Sequence, residues 1–321
     1  MLEHGHEVVG VDNFSKYGAV RRSYDSHPRY RLVEGDAKDA ALMTELAADC
    51  DHVVAGAAMI GGISYFHEFA YDLLAENERI CAATFDGAIS AFRLGRLQRI
   101  TVISSSMVFE SANVFPTPEG AQLTSPPPRS TYGFQKLAVE YFAKGAHEQY
   151  SLPYTIVRPF NCVGIGERRA LRDREIMSGN VKLAMSHVVP DLCQKILRGQ
   201  DPLHILGDGA QVRHYTYGGD LARGIRLAIE SDKAVNDDFN LSTARSTTVR
   251  ELAEVIWRKV HGDGRPLNLV SDPPYEHDVQ MRVPDVRKAR EVLGFEATTS
   301  LDTMLDEVIP WIKEEIGAGR I

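Results

Sequence analysis

Tyr132 and Lys136 stand four residues apart in "STYGFQKLAVE", directly after the stiff stretch "SPPPRS". Residues four apart share one face of a helix. A tyrosine with a pKa of ~10 is a poor base at neutral pH. An ammonium alongside it favours the phenolate. Upstream, "RITVISSS" ends in three serines, and one such hydroxyl can relay a proton between the phenol and an alcohol of a bound ligand. A serine, a tyrosine and a lysine so arranged can take a proton from a hydroxyl as it is oxidised, and return it. A surface tyrosine beside a solvated lysine would give the same spacing. What sets this pair apart is its place at the start of a helix that follows a strand end. The four cysteines, Cys50, Cys81, Cys162 and Cys193, form no CxxC pair and read as reduced, buried thiols without metal or disulfide.

The elements that must hold these residues alternate along the first half of the chain. β-branched runs stand at 6–12, 30–36, 52–58, 99–106 and 154–161, with helical stretches near 38–48, 70–95 and 131–150. Apolar strands separated by helices predict an α/β fold with a doubly wound parallel sheet. The second half is mixed, with short strands at 201–209 and 237–243 and helices at 186–199, 219–231, 248–260 and 285–294. The boundary between halves falls near Asn161. The expected division is 1–162 for a dinucleotide-binding domain and 163–321 for a smaller substrate domain, with segments near 210–245 returning to the first sheet. "HEVVGVD" ends in Asp12, as does the second strand of a dinucleotide unit with its ribose-binding acid. A net charge of −8 argues against a nucleic-acid partner. No apolar run reaches the ~18 residues of a membrane span, and no signal pattern opens the chain. A cytoplasmic protein is expected.

Eight stretches, in order, resemble the extended short-chain dehydrogenase/reductases of the nucleotide-sugar epimerase/dehydratase family: "GHEVVGVDNFS", "VEGDAKD", "VVAGAAMIGG", "ISSSMVFE", "YGFQK", "VRPFNCVGIG", "GDGAQVRHYTYGGDLARG" and "QMRVPDVRKAREVLGFEA". The resemblance implies a Rossmann-like fold and NAD as cofactor. It implies Ser105, Tyr132 and Lys136 as catalytic residues. Asp12, Asn13, Asp36, Ala37, Ala57, Ala58 and Asn77, with Tyr132 and Lys136, are then expected to bind the cofactor. Ser106, Asn161, Lys182, His187, Arg213 and Arg282 are expected to bind a nucleotide-diphosphate sugar, a UDP-sugar before a GDP-sugar. A homodimer built on the helices near 70–95 and 131–150 is implied as well.

Departures from the family's pattern narrow the reaction. The dehydratases of this family carry an Asp-Glu pair, and its decarboxylases a glutamate, where this chain has Ser106 and Met107. Elimination lacks its acid and base here. What is left is epimerisation, most simply at C4 through a transient 4-keto sugar. "AAMIGGI" and "SHVVPDL" also resemble GDP-sugar epimerases and an epimerase-reductase whose base is a cysteine at the position of Met107, and a thioether cannot take a proton. A non-catalytic sugar-nucleotide or NAD-binding module is the third reading. His187 reads as a phosphate or sugar ligand, or as a structural histidine. The loop holding Arg168, Arg169, Arg172, Arg174 and Lys182 reads either as a carboxylate or phosphate site or as solvated ion pairs. The GxxGxxG turn of a dinucleotide site lies about 20 residues before the ribose acid, and Asp12 is closer than that to Met1. The first strand and glycine-rich turn are therefore expected upstream, and the chain as printed is expected to be incomplete and to bind NAD weakly.

Overall fold

The structure is a computed structural model and describes residues 1–171, 176–183, 187–275 and 278–321. In chain order the first half carries β1 (Val8–Asp12), β2 (Tyr30–Glu34), α1 (Ala40–Ala47), β3 (His52–Ala55), α2 (Ile63–Glu68), α3 (Ala70–Arg93), β4 (Arg99–Ile103), α4 (Thr131–Tyr150) and β5 (Tyr154–Pro159). The second half carries β6 (Cys162–Val163), β7 (Ile176–Ser178), β8 (Val181–Leu183), α5 (Val188–Leu197), β9 (Leu203–Leu206), β10 (Val212–Arg213), β11 (Thr216–Tyr217) and α6 (Gly218–Glu230). It continues with β12 (Asp237–Leu241), β13 (Thr247–Thr248), α7 (Val249–His261), β14 (Leu269–Asp272), α8 (Arg287–Leu293) and α9 (Leu301–Gly317).

Parallel pairing joins four strands in the order β12–β5–β4–β3. Side chains of a strand alternate between its faces. Ile100, Val102 and Ile156 therefore enter one core, against Phe85 and Ala88 of α3 and Val139 and Ala143 of α4. Ile103 and Val157 enter the opposite core, under Leu221 and Ala228 of α6 and Ala289 and Leu293 of α8. With helices on both faces the sheet is doubly wound, and β4 and β5 are buried along almost their whole length.

β1 and β2 form a separate parallel pair, and no ladder joins β1 to β3 among the described residues. Leu42 of α1 sits against Gly35, just past β2, and α1 in turn packs on α3. The two helices touch closely: a Cβ on Gly87 would lie 2.8 Å from the Met43 carbonyl oxygen. A third core fills the second half, where α5, α7 and α9 pack over the parallel pair β9–β14 through Leu192, Ile196, Leu252, Ile256, Leu305 and Ile312. The chain re-enters the first half where β12 pairs with β5, and β11 pairs with β6 just past the boundary.

Two expectations change. Cys162 is exposed, not buried, because the two-residue strand β6 turns it outward and Val163 inward. Helix α9 stands where the sequence marks none. Among the described residues, no helix is long and apolar enough to cross a membrane.

Candidate active site

β4 ends at Ile103, and the chain turns through Ser104–Ser106 beneath the start of α4. Ser105 is extended and caps a short 3₁₀ turn, Ser106–Phe109, its Oγ accepting from the Met107 N–H at 3.2 Å. Ser130 caps α4 in the same way, accepting from the Gly133 N–H at 3.0 Å. Glu110 Oε2 in turn accepts from both the backbone N–H and the hydroxyl of Ser130, at 3.0 and 2.9 Å. A Cβ on Gly133 would lie 2.7 Å from Pro128 Cβ and 2.9 Å from the Met107 carbonyl, so only glycine lets α4 sit this close to the serine turn.

This contact brings Ser105, Tyr132 and Lys136 into one place. Lys136 is buried; its Nζ donates to the Ile103 carbonyl at 2.9 Å and lies 6.0 Å from the centre of the Tyr132 ring. A positive charge thus stands beside the phenol. The Tyr132 ring stacks on Phe66, with centres 4.3 Å apart.

Below them lies a buried polar network. Glu140, one turn beyond Lys136, accepts from Arg158 Nε and Nη2 at 2.7 and 2.8 Å and from the Ser104 hydroxyl at 2.6 Å. Arg158 is fully buried and also meets Asp238 at 2.6 Å. Burial alone would lower its pKa, but Glu140 and Asp238 together raise it. The network locks β4, α4, β5 and β12 at fixed offsets.

Arg282 and Arg213 approach from the second half. Arg282 Nη2 lies 2.7 Å from the Met107 sulfur, and its buried Nε has no partner among the described residues. Burial, then the nearby Arg213, push the Arg282 guanidinium down to about 9. Arg213 itself pairs with Asp278 at 3.2 Å. A guanidinium whose buried nitrogen finds no partner among the described residues invites an anion. Asn161 is in a left-handed conformation (φ 35°), and its buried Oδ1 also lacks a partner. Ser106 is buried within the serine turn.

His187 caps α5, and its Nδ1 and backbone N–H both meet Glu167 Oε1, at 2.7 and 3.0 Å. Burial opposes ionisation of Glu167, but His187 outweighs it and holds the carboxyl below its usual range. Lys182 lies exposed on the β7–β8 hairpin. Of the arginine loop, Arg168 is committed to Glu315 of α9 at 2.7 Å. Arg172 and Arg174 lie outside the described residues.

The adenosine-side candidates gather at the tips of β1 and β2. Asp12, exposed, accepts from the Phe14 N–H at 2.8 Å. Asn13 donates to Asp36 at 3.3 Å. Burial works against the Asp36 carboxylate, but the Lys38 N–H, the Asn13 amide and the Lys38 ammonium hold its pKa below the usual range. Ala37 is buried beneath them. Ala57 is exposed and Ala58 half-buried at the tip of β3. Asn77 is spent on that loop, accepting from the Met59 N–H at 2.7 Å and donating to its carbonyl at 2.9 Å.

Residues 1–242 match the family described as NAD dependent epimerase/dehydratase, and the chain belongs to that family. UDP-glucose 4-epimerase of Corynebacterium glutamicum is 25% identical over 323 residues, covering 96% of this chain and 88% of the relative. UDP-glucuronic acid decarboxylase 1 of Xenopus tropicalis is 24% identical over 321 residues, covering 98% and 68%. Among solved structures, UDP-glucose 4-epimerase of Thermotoga maritima with UDP-glucose superimposes with a TM-score of 0.77 at 26% identity, covering 98% of this chain and 93% of that one.

NAD is the cofactor of this family, and the chain's residues fit it at both ends. A carboxylate suits a ribose diol at Asp12, and the Ser–Tyr–Lys set suits the reacting end. No GxxGxxG turn precedes β1 in the sequence, so no backbone cradle for the pyrophosphate is seen among the described residues.

Sequence reasoning missed Phe66, Glu110 and the Glu140–Arg158 pair. Glu140 was within reach, because it repeats the four-residue step from Tyr132 to Lys136. Phe66 and Glu110 carry no such spacing.

Proposed function

We propose that the protein is an NAD-dependent epimerase that inverts C4 of a nucleotide-diphosphate sugar, a UDP-sugar before a GDP-sugar. The observation that carries this reading is the convergence of Ser105, Tyr132 and Lys136 beside a Met107 that offers no acid or base. Tyr132 takes the proton from the C4 hydroxyl and returns it after the sugar has turned, and Ser105 relays it. Lys136 places a positive charge where negative charge develops on the phenol oxygen. When bound, NAD supplies a reversible hydride acceptor. Asp12, Asn13, Asp36 and Ala37 hold its adenosine, the loop of Ala57 and Ala58, clamped by Asn77, flanks its middle, and Tyr132 and Lys136 reach its ribose at the reacting end. Arg282, Arg213 and Asn161 hold the diphosphate, with Ser106, Lys182 and His187 on the sugar side.

Elimination of water is served by an acid and base beside Ser105. Met107 occupies that place, and Glu110 Oε2 is committed to Ser130. The epimerase names of the Corynebacterium and Thermotoga relatives support a UDP-sugar.

The test is to incubate the protein with NAD and UDP-glucose, UDP-galactose or UDP-glucuronate and follow the sugar by NMR. A pair of C4 epimers approached from either side is expected. A dehydrated or decarboxylated product, or turnover that consumes NADPH, overturns the reading. Tyr132→Phe should cost on the order of 10²–10⁴ in turnover with binding nearly intact.

A further inference from the structure

Three successive side chains of α2 face three different bodies. Tyr65 packs on Phe69, just before α3, with ring centres 4.6 Å apart. Phe66 lies flat on Tyr132, with centres 4.3 Å apart and planes 12° from parallel. His67 lies flat on Tyr275 of the second half, with centres 5.0 Å apart and planes 10° from parallel. A helix of six residues is too short to hold itself. It is held from outside, by the Asn77 clamp on Met59 at its approach and by an apolar cluster that Phe66 and Tyr132 share with Leu73 and with Ile176 of β7.

The phenol oxygen is the far end of its side chain, so a small rotation at Cβ moves it most. Lys136 is fixed by the Ile103 carbonyl and Ser105 by its own turn. Within the apolar cluster around Tyr132, Phe66 is the ring that lies flat on the phenol and limits its movement out of the ring plane. A misplacement near 1 Å can cost about 10²-fold in rate.

We propose that Phe66 is a positioning residue for Tyr132: its stacked ring bars the phenol from swinging toward α2, and so fixes where the oxygen that exchanges the proton stands. The inference rests on the reading of Tyr132 given above. The His67–Tyr275 stack ties the same short helix to the second half, so the aim of Tyr132 is shared between the two halves of the molecule.

The experiment compares Phe66→Leu, Phe66→Tyr and Tyr132→Phe in the full chain. Turnover of the UDP-sugar is measured with NAD supplied, and the ¹³C-labelled tyrosine rings are followed by NMR without substrate. Phe66→Leu should lower kcat about 10- to 100-fold with KM within about threefold, and Phe66→Tyr should restore kcat to within about threefold. The Tyr132 ring signals, assigned by their loss in Tyr132→Phe, should move downfield in Phe66→Leu as the ring current is lost, and hold in Phe66→Tyr. A kcat within twofold of wild type for Phe66→Leu, while Tyr132→Phe is inactive, overturns the proposal alone. Equal losses in the Leu and Tyr variants overturn it too, since a preserved ring would then not matter. If Tyr132→Phe keeps turnover, the reading of Tyr132 fails and takes this inference with it, whatever the rings show. Should Phe66→Leu fail to fold, Phe66→Met replaces it under the same criteria.

Discussion

Arg282 is the residue whose surroundings say most about the ligand. It is half-buried against a thioether, with one buried nitrogen that has no partner among the described residues and Arg213 nearby. Such a charge is costly until an anion arrives. Arg282→Met should therefore raise KM for a sugar nucleotide by about 10- to 100-fold and change kcat far less, in steady-state assays. It should also raise the melting temperature of the ligand-free protein, or leave it unchanged. At this scale the sequence was informative where chemistry follows chain spacing. Tyr132 and Lys136 sit one helical turn apart, and the serine turn follows a strand end. It was silent where partners meet only through space. Nothing near Glu110 in the chain points to Ser130, and nothing near Phe66 points to Tyr132. No spacing joins Glu167 to His187, and their bond appears once α5 is placed.

Elements show the same division. The strands β4 and β5 were legible because both faces are buried and the runs are rich in β-branched residues. Helix α9 was not, because Pro310 inside it removes a backbone donor and argues against a helix. Its apolar face enters the third core, and its last turn is tied by Glu315, which is buried and gripped by Arg320 at 2.6 Å and Arg168 at 2.7 Å. Hydrogen bonding from Arg320, with Arg168 behind it, pulls the Glu315 carboxyl down to about 2. Its folded pKa is below the unfolded value of ~4.3, so its stabilisation is complete above that value and fades as the pH falls toward about 2. Glu315→Gln should thus cost about 1–3 kcal/mol near neutrality, and urea melts of the two proteins should converge at pH values near the folded pKa. Arg158→Met tests the network under the active site. It leaves Glu140 and Asp238 without their shared cation, and a loss of about 3–5 kcal/mol in denaturant melts is expected.

For the molecule as a whole, the helices α3 and α4 leave a groove of about 680 Å³ on their outer side, lined by Phe85, Ile89, Phe134 and Tyr141 among others. Phe134 and Tyr141 are 47% and 58% exposed, more apolar surface than a helix pair needs to cover one sheet face. We propose that two copies meet there about a twofold axis. Light scattering at micromolar concentration should give twice the chain mass, and Tyr141→Lys should halve it. The sequence suggested this surface through its surplus of apolar positions, but not the depth of the groove, which depends on how α3 and α4 cross. The separation of the β1–β2 pair from the main sheet has a consequence in time. A two-stranded unit is marginal by itself, and this one, with Val9 38% and Leu32 41% exposed, is held to the rest by flanking contacts such as His6–Glu230 and Lys38–Glu76. Its amides should exchange with deuterated water well before those of β4 and β5, opening as a local unit without global unfolding. Asp12 and Asp36 stand at the tips of this pair. An adenine nucleotide gripped there would slow that exchange in Val8–Asp12 and Tyr30–Glu34 first, so that the cofactor's arrival is recorded as the quieting of the loosest part of the protein.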